Sequence, residues 1–248
     1  MASIGKYWGF WATTFLGIAI FIVWLIAQII AIVAVVLPQL KPSNFSDDGS
    51  TSAFVNAFVL KAVQGDPAFW SIVAGAVAGC GAIALFIKLK RGATVSDYVC
   101  IRPVPWRTLA MWIGALLAFR GVAWVLVEAF AIDFGSNMMV HFFDTAKSPW
   151  VVWLALVFAA PVFEETFFRG FLLRGFEMSR VGVRGAVILT SALWAAIHLQ
   201  YNFYGMAFIA CMGVLLGIAR VSSHSIVLPM ILHALSNSLS LAFIATKG

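Results

Sequence analysis

The 248-residue chain is 62% hydrophobic and 10% charged, with a mean hydropathy of +0.99. A soluble domain carries roughly a quarter charged residues, so this composition excludes a soluble enzyme, a nucleic-acid-binding domain and a disordered tail as the default interpretation. The formal charge of +6 does not indicate nucleic acid, because Lys and Arg lie between the apolar runs. Long unbroken apolar runs favour helices over membrane β-strands. The expected fold class is all-α, a polytopic transmembrane helical bundle.

Windows of roughly 20 apolar residues, the length that crosses a bilayer as a helix, predict about seven to eight spans. The seven windows are 10–37, 69–87, 108–131, 150–173, 185–203, 206–221 and 226–245. An eighth span or a re-entrant segment is the alternative, and it would move the C-terminus to the other side of the membrane. Segment 52–64 is either an interfacial amphipathic helix or a packed loop.

Basic residues collect in alternate connections between the seven predicted spans. Eleven of the sixteen Lys and Arg fall on the side of the N-terminus, four fall on the other side, and Arg120 lies within the third span. Since cytoplasmic loops are enriched in Lys and Arg, we expect a cytoplasmic N-terminus. Arg120 and Glu128, both in the third span, are expected to pair with each other or with a neighbour in a structural role.

The fourth predicted span contains ionisable residues, which are costly inside a membrane and therefore indicate function. Glu164, Glu165 and Arg169 follow Pro161, a residue that loosens a helix. Glu165 and Arg169 are four residues apart and share a helix face, so they are expected to form an ion pair. Glu164 points about 100° away in an α-helix, which leaves its carboxylate for chemistry.

The fifth and seventh spans add His198, His233 and Asn237. His233 and Asn237 are also four residues apart and lie on one strip of a helix. A carboxylate can take a proton from water, two imidazoles can bind a metal or orient that water, and a carboxamide can donate to an oxyanion. Each residue alone is more typical of helix packing, and only the combination favours a hydrolytic site.

Three short motifs occur in a fixed order on these spans: Glu164-Glu165-Thr-Phe-Phe-Arg169 matches EExxxR, Trp194 with His198 is a variant of FxxxH, and His233-Ala-Leu-Ser-Asn237 matches HxxxN. Together they resemble the CPBP family of intramembrane proteases, which includes the CAAX proteases and the bacteriocin-processing Abi group. The resemblance covers about residues 150–245, the expected protease core. Residues 1–149 are expected to form an N-terminal region of three spans with loops. Trp194 stands where the family usually has Phe.

The resemblance implies an enzyme, a CAAX-type intramembrane metalloendopeptidase, with Glu164, His198, His233 and Asn237 as its catalytic residues. Glu164 would activate water, Asn237 would stabilise the oxyanion, and Glu165 and Arg169 would give structural support. His198, His233 and Glu164 would hold a divalent metal, zinc, although a glutamate-activated water without metal stays open.

The expected partners are the lipid bilayer and a peptide or membrane-protein substrate, with no nucleic acid. The expected location is a bacterial inner membrane. Two alternatives remain at this point. One is a non-enzymatic bacteriocin-immunity or scaffold protein, and the other is an ion-coupled transporter, since intramembrane Glu and His also serve ion pathways.

Overall fold

The computed structural model describes residues 6–40, 51–135 and 137–247, and within these ranges the regular structure is helical throughout. The ten helices are α1 (Phe10–Val36), α2 (Thr51–Ala62), α3 (Gly65–Lys88), α4 (Val95–Val99), α5 (Trp106–Phe130), α6 (Asn137–Thr145), α7 (Pro149–Glu177), α8 (Gly182–Ala196), α9 (Phe203–Ser223) and α10 (Val227–Lys247). Segment 52–64 is therefore mostly helical, as α2, rather than a loop.

Five helices of the described chain are long and apolar enough to cross a membrane: α1 with its 3₁₀ extension to Gln39, α3, α5, α7 and α9. Two shorter apolar segments are α8 and the stretch Val227–Phe243 of α10. Each of the seven predicted windows thus corresponds to one observed helix. The predicted class, an all-α membrane bundle, is confirmed, and the chain is an integral membrane protein.

The fifth predicted window, 185–203, is wrong at its C-terminal end. α8 ends at Ala196, and a turn follows in which the His198 N–H donates to Ala195 O and the Tyr201 N–H donates to His198 O. Asn202 then caps α9 by accepting from the Gly205 N–H at 3.1 Å. Because a side-chain cap fixes where a helix begins, α9 starts at Phe203. His198 therefore lies in a turn and not within a span.

α7 departs twice from α-helical geometry. Its stretches Ala155–Ala159 and Glu165–Leu172 are π-helical, and between them lies a short α-helical stretch, Ala160–Glu164, with Pro161 in its first turn. Proline has no N–H to donate, and π-bulges occur frequently at functional sites. The two neighbouring glutamates thus lie at the junction between an α-helical and a π-helical turn.

Aromatic side chains on α7 form the centre of the bundle. Phe163 stacks on Trp24 of α1 with ring centroids 5.5 Å apart and on Phe167 at 5.7 Å. α3 approaches this stack through Gly79, where an added Cβ would overlap Phe163 Cε2. The carboxylate-bearing turn of α7 is therefore held against α1 and α3 by close packing.

α5 lies at the side of the bundle with most of its side chains exposed. Arg120 of α5 donates through Nη1 to Ser240 Oγ of α10 at 2.9 Å, and Nη1 lies 3.4 Å from Ser236 Oγ. Its observed hydrogen-bond partners thus lie on the neighbouring helix α10, and Glu128 is not one of them.

Candidate active site

Glu165, Arg169 and His233 form a buried charged cluster between α7 and α10. Glu165 Oε1 accepts from Arg169 Nη1 at 3.0 Å and lies 2.9 Å from His233 Nδ1. Glu165 and Arg169 have no exposed surface, and His233 is 4% exposed. Arg169 Nη2 also donates to Gly213 O of α9 at 3.2 Å. The ion pair expected from the i,i+4 spacing is present, and the contact between His233 and Glu165 is one that the sequence did not predict.

Glu164 takes a different partner from its neighbour. Its Oε2 accepts from the indole Nε1–H of Trp194 at 2.6 Å, a contact from α7 to α8. The side chain of Glu164 is half-buried, whereas that of Glu165 is fully buried. The two carboxylates therefore point to separate neighbours, as the angular separation along α7 predicts.

Trp194 contacts the Glu164 carboxylate, the Arg169 guanidinium and both imidazoles. Arg169 Cζ lies 4.3 Å from the centroid of the indole, within the range of a cation–π interaction. The His198 and His233 rings meet the indole edge to face, with centroids 5.2 Å and 5.1 Å away. His198 Nδ1 also lies 2.8 Å from Trp194 O. The structure thus brings Glu164, His198 and His233 together around one tryptophan.

Asn237 lies one turn beyond His233 on α10 and is half-buried. Its Nδ2 donates to Leu156 O at 2.7 Å, a carbonyl in the first π-helical stretch of α7. Among the described residues it makes no hydrogen bond to Glu164, His198 or His233. An Asn side-chain amide carries two N–H groups, so one of them stays available to another acceptor.

A small cavity borders Glu164 between α1, α3 and α7. Its volume is about 40 Å³, and the lining residues are Trp24, Gln28, Ile72, Ala76, Ala160, Phe163 and Glu164. That volume admits a water molecule. Gln28 was missed in the sequence, although a carboxamide in an otherwise apolar stretch of α1 is a signal that could have found it.

The expected metal ligands do not fit a metal ion in this arrangement. Among the described residues, no group of three or more His, Cys, Asp or Glu side chains is placed to hold one. Glu164 Oε2 accepts from Trp194, and the two imidazoles use Nδ1 for Glu165 and for a backbone carbonyl, which leaves Nε2 of each ring available. Since no ligand group forms among the described residues, we derive no chemical step through a metal.

Comparison with known proteins finds similarity mainly in the second half of the chain. The sequence model of the family described as type II CAAX prenyl endopeptidase Rce1-like matches residues 146–239. The chain is also similar to an uncharacterized 24.3 kDa protein of Escherichia coli, with 32% identity over 144 residues, which is 56% of this chain and 64% of that protein. The chain thus spans just under two thirds of that relative. No solved structure matches the chain. Residues 146–239 are therefore similar to the Rce1-like CAAX endopeptidase family, the group that the motifs of α7, α8 and α10 resemble.

Proposed function

We propose that the protein is an intramembrane endopeptidase that hydrolyses a peptide bond of a peptide or membrane-associated protein. The observation that carries the proposal is the position of Glu164. Its carboxylate lies within a membrane-spanning helix, borders a cavity that admits water, and shares one tryptophan with two imidazoles. The match of residues 146–239 to an endopeptidase family supports the same activity.

Glu164 is the proposed general base. Trp194 engages its Oε2, so Oε1 is the oxygen that would take a proton from the attacking water. The same carboxyl group would return that proton to the amine that leaves. His233 is oriented by Glu165, in the way that a carboxylate orients a catalytic imidazole, and with His198 it would position the substrate carbonyl. Neither imidazole lines the cavity beside Glu164. The second N–H of Asn237 would donate to the oxyanion.

The test is cleavage by the purified full chain in lipid nanodiscs. The probes are two quenched fluorogenic peptides of one sequence ending in a CAAX box, with and without an S-farnesyl cysteine. We expect Glu164→Gln to lower kcat by about 10²–10⁴-fold, the typical contribution of a general base. The exposed Glu128→Gln on α5 is the matched control and should cleave normally. A folded Glu164→Gln protein that cleaves at the normal rate would contradict the assignment.

A non-enzymatic scaffold or immunity protein is the second candidate. It is favoured by the fact that the candidate side chains join neighbouring helices, as Asn237 does with Leu156 and His233 with Glu165. In that case Glu164→Gln and His233→Ala would lower stability, and no cleavage product would form with any probe.

For location and topology, we propose a bacterial inner membrane with a cytoplasmic N-terminus. The distribution of Lys and Arg supports this orientation, and the similarity to a protein of Escherichia coli supports a bacterial source.

A further inference from the structure

The indole N–H of Trp194 makes a hydrogen bond that a phenylalanine ring cannot make. Trp194 is only 3% exposed, so its N–H needs a partner inside the protein. The partner is a carboxylate oxygen, Glu164 Oε2, at 2.6 Å. Hydrogen bonds to an ionised acceptor are shorter and roughly twice as strong as neutral ones. By contrast, the buried Nε1 of Trp112 has no partner among the described residues.

The rest of the indole links Glu164 to the buried charged cluster. One face lies under the Arg169 guanidinium at 4.3 Å, and the edges meet His198 and His233. Arg169 is in turn fixed by Glu165 and by the Gly213 carbonyl. The orientation of the indole is therefore set on one side by a rigid, fully buried ion pair, while its N–H is directed at the half-buried Glu164.

We propose that Trp194 is the positioning residue of Glu164, and that its N–H, rather than its ring alone, holds the carboxylate in the orientation needed for catalysis. The proposal rests on the proposed function, because Glu164 must be the base for its position to matter. With Oε2 fixed by the N–H, Oε1 is the oxygen presented to water. An aromatic ring without the N–H would keep the packing against Arg169 and the two imidazoles but would leave the carboxylate free to rotate.

An isosteric replacement separates the contribution of the N–H from that of the aromatic ring. In the full chain, 3-benzothienylalanine at position 194 exchanges the N–H for sulfur and keeps the shape of the ring, and Trp194→Phe keeps an aromatic ring of smaller size. We expect both to lower kcat on the fluorogenic peptides on the order of tenfold to a hundredfold, as lost orienting partners typically do, with KM changed less than about twofold. 3-Benzothienylalanine at position 112 is the control. The N–H of Trp112 has no partner among the described residues, so kcat should stay unchanged.

Indole NMR tests the hydrogen bond without any substrate. The ¹⁵N–¹H signal of Trp194, assigned by its loss in Trp194→Phe, should move upfield in Glu164→Gln because the charged acceptor becomes neutral. It should not move in Glu128→Gln.

The outcomes separate the two proposals. If Glu164→Gln is inactive while the folded benzothienyl protein has normal kcat, Trp194 does not position Glu164 and the proposed function stands. If Glu164→Gln cleaves normally, the proposed function fails. If the benzothienyl protein does not fold, the indole signal decides, and a signal unchanged by Glu164→Gln overturns the inference.

Discussion

Glu165 and Arg169 pair at 3.0 Å across one turn of α7, and neither side chain has any exposed surface. A buried pair of this kind is weak evidence for added stability, but the removal of one partner leaves an uncompensated charge in an apolar environment. A substitution that removes the charge at one of the two positions should therefore be tolerated better when the other charge is removed as well.

We expect Arg169→Met to lower the free energy of unfolding by about 3–5 kcal/mol. Glu165→Gln keeps an acceptor for His233 and removes the charge, so the double variant should be less destabilised than the sum of the two single variants. Unfolding of the reconstituted chain in increasing SDS, followed by circular dichroism, gives the three values. Additive effects would show that the two charges are not coupled.

Gly79 of α3 contacts the aromatic ring that precedes Glu164 in the chain. An added Cβ would overlap Phe163 Cε2, whereas at Gly81 nothing lies within 4 Å of an added Cβ. We expect Gly79→Ala to destabilise the protein by about 1–3 kcal/mol, the usual cost of overpacking, and to lower cleavage by displacing the turn that carries Glu164.

Gly81→Ala, two residues along the same helix, is the matched control for Gly79→Ala. It should be neutral or stabilising by up to about 1 kcal/mol, since Ala favours helix over Gly. SDS unfolding and peptide cleavage measure both variants. Equal behaviour of the two would mean that α3 does not hold Phe163 in place.

Asn237 distinguishes oxyanion stabilisation from helix packing. Asn237→Leu keeps the branching of the side chain and loses both amide N–H groups, including the donor to Leu156 O. We expect kcat to fall about 10²–10³-fold, the typical cost of one lost oxyanion donor. The lost hydrogen bond between helices should cost about 1 kcal/mol of stability. If stability falls and kcat does not, Asn237 is a packing residue.

Metal removal tests the zinc hypothesis directly. Because Glu164, His198 and His233 do not form a ligand group among the described residues, we expect cleavage to be unchanged after dialysis against a membrane-permeant chelator. The zinc content of the purified chain, measured by mass spectrometry, should be well below one per molecule. Loss of cleavage on chelation, restored by added zinc, would establish the metalloprotease hypothesis.

The bundle and its helices could be predicted from the sequence because a bilayer imposes a strong local rule. A stretch of about 20 apolar residues without charges satisfies its backbone hydrogen bonds only as a helix in lipid. The pair of Glu165 and Arg169 was predictable from another local rule. Residues four apart on one helix are neighbours whatever surrounds the helix. The order of the motifs on α7, α8 and α10 is equally a property of the sequence.

Contacts between helices were not predictable in the same way. Spacing along α7 indicates that Glu164 and Glu165 point apart, but their partners, Trp194 and His233, come from α8 and α10. Those partners depend on where each helix ends and how the helices cross, which is set by close packing such as that of Gly79 on Phe163.

The amino-acid sequence by itself thus determined the membrane environment, the helices and the residues able to do chemistry, because each follows from local composition and spacing. The tertiary structure alone decided that one tryptophan joins Glu164 to both imidazoles and that His198 lies in the turn after α8. The physical reason is that side chains from different helices meet only where backbone geometry and packing bring them within about 3–5 Å.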